Sequence, residues 1–104
     1  MKDESFRDFV LDQLRELRGL ECCAMFGGFG LYADGRFFGI FHRGRLYFKT
    51  SDATREAYLA RGMKRFAPRG KATLSAYLEV PADVIEDTAQ LETWARDAVE
   101  AAGK

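Results

Sequence analysis

Apolar positions follow two different periods along the chain. Phe6, Phe9, Val10, Leu14 and Leu17 recur every three or four residues, the spacing that lays one face of a helix on a core. Ser5 predicts the cap of that helix, with Asp8 at the capping-box position, and Gly19 predicts its left-handed stop. Aromatic and aliphatic residues then crowd into three extended runs, about 22–33, 36–42 and 45–50, separated by Asp34-Gly35 and Arg43-Gly44. A two-residue turn that matches strand twist needs positive φ at both centres, so these dipeptides predict an antiparallel meander. Apolar side chains fall on both faces of the runs, and a sheet of that kind needs cover on each side, from helices or from a second copy of the chain.

After the meander, Ser51 or Asp52 caps a second helix that runs through Arg55, Tyr58 and Leu59 to Gly62. A loop from Met63 to Lys71 carries Pro68 and Gly70, and Leu74 to Val80 reads as a strand ended by Pro81. Asp87 and Gln90 predict a capping box for a last helix, along which Leu91, Trp94, Ala95, Ala98, Val99 and Ala102 share a face. The elements give an α+β domain. Its antiparallel sheet has about five strands with flanking helices, in the order α-βββ-α-ββ-α, and residues 1–104 form a single unit without repeats or linkers.

Composition narrows the class. A chain of 104 residues that is 47% hydrophobic and 13% aromatic can bury a core without staples. Its two cysteines, Cys22 and Cys23, are adjacent, which lacks Cys-x-x-Cys spacing and predicts two free thiols in a reducing cytoplasm. The charged start Met1-Lys2-Asp3-Glu4 and the absence of a membrane-length apolar run predict neither leader nor span. A formal net charge of zero conceals segregation. Residues 36–71 hold ten Lys/Arg and two Asp/Glu, a net of +8, and the rest of the chain is −8. That pattern fits a nucleic-acid face, a partner face, or basic strands paired with acidic helices within one fold.

Catalytic signals are weak. His42, the only histidine, ends an extended run beside Arg43, and one histidine makes no metal site; pairing it with Cys22 or Cys23 would need a third, orienting group that the spacing does not supply. Gly27-Gly28-Phe29-Gly30 lacks the helix N-terminus a phosphate cradle requires, since extended sequence follows. These glycines read as a bulge or a close strand crossing. Gly70-Lys71-Ala72-Thr73 lacks the upstream glycine of a Walker loop, where Arg65 stands. No cofactor is expected. Arg36, Arg43, Arg45 and Lys49 interleave with Phe37, Phe38, Phe41, Tyr47 and Phe48, and Lys64, Arg65, Arg69 and Lys71 follow on the loop. Together they form a candidate nucleic-acid or partner surface, against the plainer reading in which the aromatics are core and the cations flank turns.

Met25, Phe26, Gly27, Gly28, Gly30, Leu31 and Tyr32 with Asp34-Gly35, then Phe38-Gly39, Leu46-Tyr47-Phe48-Lys49, Arg55, Gly62, Phe66, Gly70-Lys71, Tyr77, Val80-Pro81 and Leu91-x-x-Trp94-Ala95, resemble the N-terminal domain of the TfoX/Sxy family over nearly the whole chain. The resemblance implies a non-enzymatic regulatory or adaptor domain. The family is known in bacteria for switching on natural competence genes alongside the cyclic-AMP receptor protein. It also implies a fold like the secretion-chaperone class and no catalytic residues. Full-length regulators of this kind carry a second, C-terminal domain, so this chain resembles a stand-alone form, and the basic residue often found before Met-Phe-Gly-Gly is missing, since Cys22, Cys23 and Ala24 precede Met25. The expectation is a cytoplasmic domain that acts by protein association and forms a homodimer, with DNA as the alternative partner.

Overall fold

A computed structural model of the chain describes residues 3–25, 27–67 and 74–103. Phe26 of the motif and Arg69 and Lys71 of the basic loop lie outside them. Helix α1 (Asp3–Gln13) leads to four strands, β1 (Leu20–Met25), β2 (Gly28–Ala33), β3 (Arg36–His42) and β4 (Arg45–Lys49). Helix α2 (Asp52–Ala60), strand β5 (Tyr77–Glu79), a single turn α3 (Ala82–Ile85) and α4 (Thr88–Ala102) complete the chain. The strands form one antiparallel sheet in sequence order, β1 to β5. The α+β class, the five strands and the flanking helices stand as expected.

Local chemistry explains the elements and the adjusted boundaries. Asp34 and Gly35 have φ of 52° and 78°, and Arg43 and Gly44 have 52° and 74°, the doubly positive pair that a twisted two-residue hairpin requires. The expected run 22–33 folds back at Gly27, whose φ is 76°, and so supplies two strands. The expected strand from Leu74 is shorter, because Leu74 takes φ 57° and accepts from the Tyr77 amide in a turn. Ser51 caps α2 as a full capping box with Thr54. At α4, Asp87 accepts from the Gln90 amide, but the Gln90 side chain bonds the Asp87 carboxylate instead of the backbone. Helix α1 is already formed at Asp3, so Ser5 lies within it and is not its cap.

The core lies between the sheet and its helices. Phe38, Phe48, Leu46, Leu78, Leu31, Val10, Leu14, Val84 and Leu91 pack there with little or no exposure, and the Phe38 and Phe48 rings meet at 5.6 Å. In β2–β3 the register slips by one: Leu31 pairs with Gly39 and Tyr32 with Phe37, leaving Phe38 as the extra residue of a bulge. The slip turns Phe38 into the core while Phe37 and Ile40 face the other way. That second face carries its own cluster of Ile40, Tyr47, Phe66 and Tyr77 with Phe37 against it. Phe66 comes from the segment after α2, so the chain itself supplies cover there, where the sequence left a second copy as an alternative. No helix among the described residues is long and apolar enough to cross a membrane.

Candidate functional site

Three chain segments converge at one end of the second face. The Arg43-Gly44 turn brings His42 opposite Arg45 at the close of the β3–β4 ladder. Gly62, with φ 74°, takes the chain out of α2. The chain then runs beside β5: the Glu79 amide donates to Lys64 O at 2.9 Å, the Phe66 amide donates to Tyr77 O at 2.8 Å, and Arg65 bridges Leu78. Phe66 is thereby seated edge-on against Tyr47 (5.0 Å) and His42 (5.3 Å). The result is a groove of about 410 Å³ walled by His42, Arg43, Arg45, Tyr47, Lys64, Arg65 and Glu79 with Phe66 at its side.

The groove is electropositive. Four Lys/Arg line it against the single carboxylate of Glu79. Glu79 Oε2 accepts from Arg45 Nη1 at 2.9 Å, and that bond, with the attraction behind it, holds the Arg45 proton more tightly than usual. The Tyr47 hydroxyl is pushed up, first by burial and then by the Glu79 charge. Arg65 Nη1 donates to Ser75 O at 2.9 Å. Arg43 and Lys64 are exposed at the rim. The arrangement can hold an anionic group between the cations with an apolar or planar part against Phe66 and Tyr47.

The other sequence candidates divide. Lys49 leaves the groove and lies over the Tyr77 ring, with its ammonium 5.4 Å from the centroid. Arg36 starts β3 at the far end, and its guanidinium lies where a Cβ on Gly103 would stand, beyond the last turn of α4. The eight cations therefore do not form one track. The plainer reading holds for Phe38, Phe41 and Phe48, which are core, while Phe37 and Tyr47 belong to the second face.

The glycine motif is structural in this geometry. A Cβ on Gly28 would stand 2.0 Å from Phe41 O, and one on Gly30 would stand 2.6 Å from Met25 Sδ. Met25, Gly30 and Tyr32 thus pack side by side on the second face, while Leu31 is fully buried in the core. Gly35 serves the first hairpin. Cys22 and Cys23 are both free and point to opposite faces of β1, two strands away from His42 on β3. Burial pushes the Cys22 thiol up, opposed by the nearby Arg7 charge.

Two features escaped sequence reasoning. Tyr32, Phe37 and Tyr77 stack in a ladder with centroids 5.2 Å apart at each step, and the Tyr77 hydroxyl donates to Phe37 O at 2.6 Å. The signal for it was the bulge, which no motif announces. A second groove, about 210 Å³, lies between α2 and α4 around Tyr58 and Trp94, whose rings are 4.7 Å apart; the matching stripes of the two helices were its only trace. Among the described residues no group of three or more His, Cys, Asp or Glu is placed to hold a metal ion.

In comparison with known proteins, the family model described as the TfoX N-terminal domain matches residues 12–102. A search of curated proteins found no match.

Proposed function

The chain belongs to the TfoX N-terminal domain family, and from that membership we propose that it is a non-enzymatic regulatory domain of the competence-regulator type, working in the cytoplasm by association with a partner protein. The contact we assign is the electropositive groove, and its ligand is an acidic segment of that partner with an aromatic or aliphatic side chain among its carboxylates. One observation carries this reading: Arg43, Arg45, Lys64 and Arg65 converge on a single groove beside Phe66 and Tyr47, opposed by only one carboxylate. Acidic peptides are recognised by such clusters, in which the cations set orientation and the apolar wall supplies burial.

A second reading has its own support. Phe66 and Tyr47 beside cations are the elements of a stacking platform for single-stranded nucleic acid. It ranks below the first because Arg36 and Lys49 lie elsewhere and Arg45 is engaged by Glu79, which leaves few cations to neutralise successive phosphates.

Fluorescence anisotropy separates the two. A labelled peptide alternating Glu with Phe, a single-stranded oligonucleotide and a duplex are each titrated with the wild type and with an Arg43→Glu, Lys64→Glu variant at low and at moderate salt. The proposal expects peptide binding that the variant loses and only weak binding of either oligonucleotide. Oligonucleotide binding that falls steeply with salt and vanishes in the variant would replace it with the second reading. No binding of any probe would remove the groove as the contact surface.

A further inference from the structure

The two edges of the sheet are treated differently by the chain. At β5, residues 64–66 run alongside and pair with it, through the Arg65 to Leu78 bridge and the bonds made by the Glu79 and Phe66 amides. At β1, among the described residues, β2 is the only strand alongside. We propose that β1 is a self-association edge, on which a second copy of the chain pairs its own β1 antiparallel about a two-fold axis at Cys22, so that two five-stranded sheets become continuous.

Backbone phase fixes which groups are on offer. The Asp34 amide donates to Gly19 O at 3.2 Å, and the pairing continues without a slip from Leu20 with Ala33 to Met25 with Gly28. Hydrogen-bonded and non-hydrogen-bonded pairs alternate along an antiparallel ladder, so Glu21 and Cys23 bond to β2 while Leu20, Cys22 and Ala24 direct their N–H and C=O outward. An isologous pairing centred on Cys22 uses all three: Leu20 opposite the second copy's Ala24, Cys22 opposite Cys22, and Ala24 opposite Leu20.

The side chains suit this partner. Exposed edges are blunted in monomers by lysine, proline, bulges or very short strands. None of these is present in β1: Glu21 is its only charge, and its register with β2 is regular over six residues. In the Cys22-centred register each Glu21 faces Cys23 of the other copy, so no like charges are opposed. On the helix side, half-buried Leu11, Leu20 and Cys22 pack against the core and would gain cover. The chain's formal net charge is zero, so no long-range repulsion keeps two copies apart. This surface is separate from the basic groove and does not depend on it.

Sedimentation velocity across a concentration series tests the proposal, together with amide hydrogen exchange of the wild type at low and at high protein concentration. A mass that rises from monomer to dimer is expected, with exchange at Cys22 and Ala24 slowing as it does. Ala24→Pro removes an outward N–H that makes no bond to β2, so its circular dichroism should match the wild type while the mass increase is lost. In a Cys23→Ser variant, diamide should join two Cys22 thiols as a disulfide between copies, taking up their two electrons and two protons, because opposed residues of a hydrogen-bonded pair lie within disulfide reach. A wild type that stays monomeric throughout would overturn the proposal. So would a dimer that survives Ala24→Pro with Cys22 and Ala24 amides exchanging alike at both concentrations.

Discussion

Gly28→Ala is the sharpest perturbation of this fold, because the new methyl would meet main chain. Its Cβ would stand 2.0 Å from Phe41 O and 3.1 Å from Phe41 C, where ordinary contact begins near 3.4 Å. A side chain could rotate away, but the Phe41 carbonyl is fixed in β3, which pairs on both sides with β2 and β4. Strands β2 and β3 must therefore separate by about 1.4 Å at this point. Overpacking of a fixed site costs about 1–3 kcal/mol, and one weakened ladder bond adds about 1 kcal/mol, giving a loss of roughly 2–4 kcal/mol. A domain of this size holds roughly 5–15 kcal/mol in all, and each kcal/mol lowers Tm by about 4–8 °C. Gly27 is the control. A Cβ there meets nothing within 4 Å, and the only penalty is its φ of 76°, about 1–2 kcal/mol for alanine and less for asparagine. Urea unfolding followed through Trp94, the sole tryptophan, stacked on Tyr58, should rank Gly28→Ala well below Gly27→Ala, and Gly27→Ala below Gly27→Asn. If Gly28→Ala were as stable as Gly27→Ala, the close approach of β2 to Phe41 would not exist in solution.

Alkaline pH should unfold the protein through its tyrosines. Burial, with the neighbouring Tyr32, raises the Tyr77 hydroxyl to about 12, and burial raises Tyr58 as well. A raised folded-state value means the native state resists ionisation, so stability is full below the ordinary tyrosine value of 10.0 and is lost as pH rises from there toward 12; absorbance of tyrosinate should appear with unfolding, and normal titration of all four tyrosines in a folded protein would contradict this. Acid acts on the other sign. Asp83, bonded by Arg61, and Asp87, bonded by the Gln90 side chain and amide, both sit below the ordinary 3.8, so their contribution is present above that value and disappears as pH falls through their lowered values. Urea midpoints should drop over that window, and Asp83→Asn with Asp87→Asn should flatten the drop. Phe48→Ala, a fully buried ring against Phe38, should cost about 3–5 kcal/mol by the same urea assay.

What could be read in the chain was whatever rested on neighbours in sequence. Asp34-Gly35 and Arg43-Gly44 announced their hairpins because turn chemistry is local, and Ser51 and Asp87 announced α2 and α4 for the same reason. The hairpin at Gly27 was missed since Met25-Phe26 continues the apolar run and Gly27-Gly28 serves two purposes, a turn at the first position and a close approach at the second. Helix α3 escaped because a single turn after Pro81 has no room for periodicity. The site divides along the same line. Arg43 and Arg45 flank one turn and were found together, but Lys64 and Arg65 reach them only through the return of residues 63–67 along β5, a long-range contact invisible in spacing. Arg36 and Lys49 share the basic segment yet leave the groove, because strand length carries Arg36 to the opposite end and the Tyr77 ring draws Lys49 aside.

The extra residue at Phe38 makes β3 a strand whose length is a matter of parity. Ahead of it, Phe37 faces the aromatic ladder with Tyr32 and Tyr77; past it, Ile40 and Phe41 divide between the second face and the core. Remove one residue between the Asp34-Gly35 turn and Gly39, and the two halves of the strand fall into a single phase. Either Phe37 enters the core or Phe41 leaves it, and every position toward the basic groove exchanges faces with its neighbour. Substitutions in β3 can be absorbed one at a time, but a one-residue deletion would turn His42 away from Phe66 and dismantle, from the far end of the strand, a groove it never touches.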